Sequence, residues 1–454
     1  MPRPIGVRLK PCGPAIVAVL TFACPGGAYA TGFFINQQSV RSLGRVDAGN
    51  TVAADELGTI FFNPAGLTKV VQDGKDPECV RIALGAHLII PRSRQRNRGS
   101  FAATPGTLGV SVPVGGGDAR DPTDPTAVPN FYVARAFGNR GAVGLGFNAP
   151  FGLATAFDRD WHGRYDAIEA SLRTVNVSLV GAYRLTDDLS VGGGLDLQYA
   201  RTTLTSAIPD PLAPGGPSAP TDASIRTTGH DYFTPGFNLG FLYDIDARTR
   251  IGAHYRSAMT HDVEGTSIVE GLQGPLAGSN GSVDARTELH LPAIATVGVR
   301  RSVNDRLVLF GEFEWFDWST FQEVRLRFAD GRPDAVRVAN YRDAYAAAVG
   351  AEYPMASHWT VRGGVHYDTT PTVDEFRDTT VPDSERVWLG LGTTFQLSNR
   401  LNMDVAFNHV FFPGTSIALT RTFFDHTPLA TTTTIRSDVR TVVNTIAVDF
   451  RLYF

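Results

Sequence analysis

The feature that most constrains this chain is a period of two. From Val442 to Phe454 the even positions are Val442, Asn444, Ile446, Val448, Phe450, Leu452 and Phe454, while the odd ones include Thr445, Asp449, Arg451 and Tyr453. Successive side chains of a strand point to opposite faces. This segment is therefore apolar on one face and carries Asp and Arg on the other. A barrel wall needs that division when one face meets lipid and the other a polar lumen.

The pattern recurs. Val80, Ile82, Leu84, Ala86, Leu88 and Ile90 alternate with Arg81, Ala83, Gly85 and His87, and Val191 to Tyr199 alternates in the same way. Further segments run near Val128 to Gly138, Gly141 to Ala149, Leu172 to Leu185, Tyr232 to Tyr243, Arg250 to Val263, Pro292 to Val303 and Leu307 to Leu326. Others run near Tyr341 to Tyr353, Trp359 to Tyr367, Val387 to Leu397 and Leu401 to Phe411. About fourteen strands are expected, an even number in the bacterial range.

The connections alternate between two kinds. Gly138-Asn139-Arg140, Thr186-Asp187-Asp188, Asp244 to Thr249, Asn304-Asp305, Ala356-Ser357 and Ser398-Asn399 are short and rich in turn residues. Pro91 to Ala127, Pro150 to Ala170, Thr202 to Gly229, Gly265 to Ala285, Arg327 to Arg337, Thr369 to Glu385 and Pro413 to Asp438 are long. An outer-membrane barrel has short periplasmic turns and longer external loops. Strands cross a bilayer only if every backbone N–H and C=O is paired, so the sheet must close. A wall of this size leaves a lumen that side chains alone do not fill.

Composition narrows the class. The only long apolar run is Ala15 to Ala23, whereas a transmembrane helix needs roughly 20 apolar residues. Arg3, Arg8 and Lys10, that run, and Ala28-Tyr29-Ala30 form a secretory signal over residues 1–30, with Thr31 as the first mature residue. Cys12 and Cys24 fall within it and Cys79 stands alone afterwards, so neither a disulfide framework nor a multi-cysteine metal site is expected. The basic and acidic counts, 41 and 45, nearly cancel, and no nucleic-acid partner is implied.

Residues 31–76 lack the alternation and are too long to lead into the first strand. Ala48 to Leu57 is expected to be helical, and Asn63 followed by Pro64 marks the start of a short helix. Such a segment, attached to a barrel with space inside, is expected to be a hatch, with the wall running from residue 77 to 454.

Several motifs then carry a resemblance. They are Gly32-Phe33, Ser42-Leu43-Gly44-Arg45, Ala53-Ala54-Asp55, Asn63-Pro64-Ala65, Asn148-Ala149-Pro150-Phe151-Gly152-Leu153, Trp161 with Gly163-Arg164-Tyr165, Thr234-Pro235-Gly236-Phe237-Asn238, Tyr255-Arg256-Ser257, Glu314-Trp315 with Trp318, and Pro382-Asp383 to Trp388. In this order and spacing the chain resembles the FadL/TodX-type outer-membrane transporters of long-chain fatty acids and other hydrophobic compounds. The resemblance implies a plugged barrel of fourteen strands in the outer membrane of a Gram-negative bacterium. It further implies external capture of ligand, an internal pocket touching the hatch, and sideways exit where the third strand kinks.

The residues expected to serve that scheme follow. Gly32, Phe33, Asn63, Pro64 and Ala65 belong to the hatch and its gating. Asn148, Ala149, Pro150, Phe151 and Gly152 form the lateral kink, because Pro150 cannot donate a ladder hydrogen bond; the alternative is that Pro150 only starts an external loop. Ile268, Val269, Leu272 and Leu276 form an apolar capture loop. Arg201 is the candidate partner for a carboxylate, against the alternative of a solvated rim arginine.

Transport is expected to be passive, because no phosphate-cradling loop is present and an outer membrane offers no ATP; no cofactor or metal is expected. Partners are expected to be a hydrophobic ligand and the surrounding outer-membrane lipid and lipopolysaccharide, with the protein monomeric. A channel for aromatic hydrocarbons is the alternative. An outer-membrane hydrolase is the enzyme-class rival, resting on the Asp160, Trp161, His162 and Glu169 neighbourhood. A general porin would lack the hatch.

Overall fold

A computed structural model describes residues 32–72 and 79–454. The expected signal segment, Thr31 and the end of the expected hatch lie outside the described residues. Fourteen antiparallel strands close into a barrel. In chain order they are β1 (Arg81–Asn97), β2 (Thr126–Phe137), β3 in two halves (Gly141–Asn148 and Gly152–Ala156), β4 (Glu169–Arg184), β5 (Leu189–Ile208), β6 (Ala223–Asp246) and β7 (Thr249–Arg256 and Met259–Glu270). They continue as β8 (Gly281–Leu291 and Ile294–Ser302), β9 (Val308–Phe316), β10 (Ala344–Ala356), β11 (Trp359–Asp368), β12 (Arg386–Ser398), β13 (Leu401–Phe411) and β14 (Thr431–Tyr453). The first and last strands complete the circle in a register running from Arg81 opposite Tyr453 to Asn97 opposite Ser437. Closure pairs the first strand with the last, so the sheet has no outer edges left for lipid to desolvate.

Parity sorts the wall. On β14, Val442, Ile446, Val448 and Phe450 are exposed on the outside, whereas Val443, Thr445, Ala447, Asp449 and Arg451 are buried on the inside. On β5, Leu195 and Leu197 face out while Asp196 and Gln198 face in. A buried charge needs a partner. The inward charges meet one another and the N-terminal plug: Arg451 Nε lies 2.7 Å from Asp404, Arg362 Nε 2.8 Å from Glu352, and Arg41 of the plug 3.0 Å from Glu352.

Several strands outrun their expected limits. Much of Thr202 to Gly229, Gly265 to Ala285 and Pro413 to Asp438 is strand rather than loop, because the hairpins continue above the apolar belt on polar, Thr-rich sequence. The alternation of apolar and polar residues fades there, while the backbone ladder does not. Within Pro150 to Ala170 the upper half of β3 is also strand.

The plug contains α1 (Val40–Arg45), α2 (Thr59–Phe62), α3 (Leu67–Gln72) and a 3-10 turn at Pro64–Gly66. The Ser42 N–H donates to the Ser39 hydroxyl, capping α1, and Val40 and Leu43 pack on Ala406 and Ala447 of the wall. The expected helix over Ala48 to Leu57 does not form. Left-handed backbone at Val46, Asp47 and Ala54 turns the chain there instead. Lumen contacts override its helical propensity.

Candidate functional site: a gap in the wall and the plug behind it

The third strand is interrupted. Asn148 lies opposite Asn176 and Gly152 opposite Arg173. Between those pairs β3 spends Ala149, Pro150 and Phe151, whereas β4 spends only Thr174 and Val175. One extra residue sits on β3, which makes a bulge and bends the strand. Pro150, which brings no N–H, sits at its centre.

The bend opens the wall. β2 pairs with β3 only from Phe131 opposite Phe147 to Phe137 opposite Gly141. Residues 126–130 are paired to β1 alone, and Gly152–Ala156 is paired to β4 alone. A ladder is therefore missing between the upper parts of β2 and β3. Above it the wall is sealed by loop contacts, with Ala156 N–H donating to Pro122 O at 2.7 Å and Thr123 Oγ1 to Ala154 O at 2.9 Å.

The plug satisfies the backbone that the bend frees. Ile35 N–H donates to Pro150 O at 2.8 Å, and Gly152 N–H to Phe33 O at 3.0 Å. Gln38 Nε2 donates to Ala149 O at 3.0 Å, and Phe151 N–H to Thr174 Oγ1 at 3.0 Å. Phe34 and Phe151 form an isolated antiparallel bridge. A β-carbon on Gly152 would lie 2.7 Å from Ile35 Cδ1, so a glycine leaves room for the plug.

Behind the gap is an aromatic cluster. The Phe33 ring lies 4.6 Å from that of Trp318 and 5.4 Å from that of Phe321, edge to face. Phe34 lies 5.4 Å from Phe151 and 5.3 Å from Phe316. Such pairs add to the area that they bury. Phe34 also lines a cavity with Phe61, Phe62 and Ile294 on its apolar side and Asn50, Thr51, His254, Arg256 and Glu312 among its polar groups.

Asn63, Pro64 and Ala65 lie below, where the plug meets the wall. Asn63 Nδ2 donates to Thr51 O at 2.7 Å and to Phe241 O of β6 at 2.9 Å, while its Oδ1 accepts from Ala65 N–H at 3.1 Å. The triplet thus pins one plug turn to another and to the barrel. Gly32 lies at the other end of the plug, with its N–H donating to Asp383 of the β11–β12 connection at 3.2 Å.

Two further groups of expected residues lie elsewhere. Arg201 points outward, on the same face as Leu195 and Leu197 and directly opposite Arg173 of β4. It does not point into the lumen, and its exposure fits the alternative of a solvated arginine. Strand parity decides this. Ile268 and Val269 belong to the extended β7 rather than to a loop and face opposite ways. Ile268 is exposed, whereas Val269 is buried against Ile208 and Ala223, with Leu272 beside them. Leu276 is half-buried on a 3-10 turn farther out. The four do not make one surface.

The arginine that lines the cavity is Arg256. Its exposed neighbour Tyr255 fixes the parity, so Arg256 turns inward. Its Nη1 lies 2.7 Å from Asp196, its Nη2 donates to Phe61 O at 2.9 Å, and its guanidinium stacks 4.2 Å from the Phe61 ring. The alternation on β7 was the signal that could have found it.

The external loops are tied together at Asp166, which is fully buried. Its carboxylate accepts from Arg421 Nη2 at 2.7 Å, from Thr379 N–H at 2.9 Å and from Thr379 Oγ1 at 2.6 Å, with Arg337 at 3.7 Å. Burial pushes its pKa up, but Arg421 and Arg337 outweigh that and hold it down at about 2. The neighbouring His162 is buried, with Nδ1 on Gly117 O at 3.0 Å and Nε2 on Ser437 Oγ at 2.7 Å. Glu169 instead pairs with Arg226 at 3.2 Å. His162 and Glu169 thus each bond to other partners.

Comparison with known proteins places this architecture. The family described as outer membrane protein transport protein (OMPP1/FadL/TodX) matches residues 22–454. The long-chain fatty acid transport protein of Salmonella typhi is 28% identical over 402 residues, covering 84% of this chain and 88% of the relative. Outer membrane protein P1 of Haemophilus influenzae is 25% identical over 436 residues, covering 88% and 90%. Among solved structures, a Pseudomonas aeruginosa FadL homologue superposes with a TM-score of 0.80 at 21% identity, covering 93% of this chain and 99% of that one. The Ralstonia pickettii toluene transporter TbuX gives 0.62 at 19%, with the same coverages. The chain belongs to the OMPP1/FadL/TodX family of outer-membrane transport proteins.

Proposed function

We propose that this protein carries long-chain fatty acids, or similarly elongated apolar molecules, passively across the outer membrane and releases them sideways through the gap between β2 and β3. The observation that carries the reading is the bulged third strand, where the plug completes Ala149 O, Pro150 O and Gly152 N–H and the wall completes only Phe151. A ligand that displaces Phe33 to Ile35 would free the gap and the cavity behind it together. The direction of transport then follows the ligand's own gradient and its differential affinity for successive sites. An apolar molecule leaving at this height enters lipid without crossing a water-filled pore.

The fatty-acid reading is supported by relatives named for that substrate and by Arg256 on the cavity wall, where a carboxylate headgroup would share the guanidinium with Asp196. Aromatic hydrocarbons are the second reading, favoured by the rings of Phe33, Phe34, Phe151 and Trp318 beside the gap. The reading takes residues 1–30 as a removed export signal, residues up to about 76 as the hatch and the monomer as the working unit.

Deleting Pro150 tests the exit. Deletion leaves two residues on β3 against two on β4 and straightens the strand. Uptake of radiolabelled oleate should fall to the level of cells lacking the protein, with the barrel still folded by heat-modifiable migration. Uptake equal to the intact protein's would sink the proposal. Running toluene in parallel separates the two ligand classes.

A further inference from the structure

The outside of the closing strand pair carries a feature that transport does not use. On β1 the outward residues run Ile82, Leu84, Ala86, Leu88 and Ile90 and then change to Arg92, Arg94 and Arg96. On β14 they run Leu452, Phe450, Val448, Ile446, Asn444 and Val442 and then change to Arg440. The two changes occur at one height, because Arg92 lies opposite Val442 and Arg94 opposite Arg440. Nine to eleven tilted residues are about what a barrel needs to cross the hydrocarbon. The arginines therefore stand where the outer leaflet's apolar belt gives way to headgroups, at the long-loop end of the barrel.

Three of them form a row. Arg94 is directly opposite Arg440 on one side and directly opposite Arg120, of the short strand Ala119–Arg120, on the other. Directly opposed residues share a face, and like charges in that relation repel. The fold offsets only part of this. Asp118 pairs with Arg94 at 3.1 Å and Asp121 with Arg92 at 3.0 Å, and Asp438 pairs with Arg98. Arg96, Arg120 and Arg440 are exposed, and among the described residues no carboxylate makes an ion pair with any of them. A row that destabilises the sheet by repulsion and stands at the headgroup level is complementary to closely spaced anions on a lipid. Guanidinium groups suit phosphate in particular, through paired N–H donors.

We propose that Arg94, Arg120 and Arg440, flanked by Arg92 and Arg96, form a binding site for the phosphorylated headgroup of an outer-leaflet glycolipid of the lipid A type. Its acyl chains lie along Ile90, Leu88 and Ile446 below. The site adjoins the exit, since β1 is the neighbour of β2 and Arg120 precedes the loop that seals the gap at Pro122 and Thr123. A lipid held there would border the place where a ligand enters the bilayer.

The test uses the full-length protein in detergent, with bisphosphorylated lipid A, the same lipid stripped of both phosphates, and inorganic pyrophosphate as separate probes. Binding is read by native mass spectrometry and titration. The triple variant R94Q/R120Q/R440Q should lose about tenfold or more in affinity for bisphosphorylated lipid A. The exposed control R325Q/R327Q should bind as the intact protein does. Stripped lipid should bind intact and triple-variant protein equally and weakly. If the triple variant fails the heat-modifiability check, R120Q and R440Q are read singly, each with a loss of about threefold. Unchanged affinity in the folded variants would overturn the site. So would stripped lipid binding as tightly as bisphosphorylated lipid. Pyrophosphate binding as tightly as the lipid would overturn its assignment to a lipid headgroup.

Discussion

Gly32 has two independent reasons to be glycine. Its φ of +64° lies in the left-handed region, and a β-carbon there would come within 2.9 Å of the Trp318 ring and 3.3 Å of Pro371. Gly32→Ala is expected to cost about 1–3 kcal/mol as strain and overpacking. The cost should fall on the plug's first residues, read as faster hydrogen exchange across Phe33 to Gln38 while wall strands keep their protection. Unchanged exchange there would contradict the packing. Asn63 shows the other side of residue-scale reading. Its place before Pro64 was legible as a helix cap, and the structure does use its Oδ1 that way. Its two bonds to Thr51 O and Phe241 O were not legible, since both partners are fixed by tertiary contact. Arg201 failed for a related reason: its charge was visible, but a strand's two faces differ by a single position.

At the scale of elements, the bulge at Ala149–Phe151 and the knot at Asp166 do opposite things. The bulge breaks a ladder. The knot joins segments distant in sequence: the β3–β4 connection, the arms carrying Arg337 and Arg421, and Thr379. Because the Asp166 carboxyl is held at about 2, below its unfolded value near 4, its contribution is fully present above about pH 4 and is lost as pH falls through about 2. External-loop hydrogen exchange in the intact protein should therefore stay slow down to about pH 4 and rise below it. Asp166→Asn should remove that dependence and destabilise the loop cap by about 3 kcal/mol, because Arg421 and Arg337 would lose the carboxylate they pair with. Equal exchange in both proteins from pH 7 to pH 3 would refute the assignment. The hairpin extensions above the membrane were hidden in the sequence. There a strand has water or loops on both sides, and Thr-rich stretches such as Thr431 to Thr434 lose the apolar beat while keeping their backbone pairing.

For the whole molecule, the plug is bound to the wall by charge as well as by packing. Arg41 and Arg45 of α1 reach Glu352 of β10 and Asp55 of the plug, and Arg362 and Arg451 from the wall complete the cluster around Asp404. Removing residues 31–76 should leave those wall charges facing an open lumen. In planar bilayers the deletion should convert a nearly silent protein into one with steady conductance, while a porin-like barrel would conduct before and after. The same deletion should abolish any preference for oleate over a small polar solute.

What the sequence determined by itself is the closed wall. Period-two alternation, turn-rich short connections on one side and long ones on the other leave a membrane barrel as the arrangement that pairs every backbone group in lipid. That information is local, carried by each strand's own residues. Only the tertiary structure decided where the wall opens, which arginine lines the cavity and which residues hold the plug. Those outcomes depend on register between strands far apart in the chain. One additional residue on β3 relative to β4 is invisible until the two are laid side by side, and it sets both the gap and the plug contact that closes it.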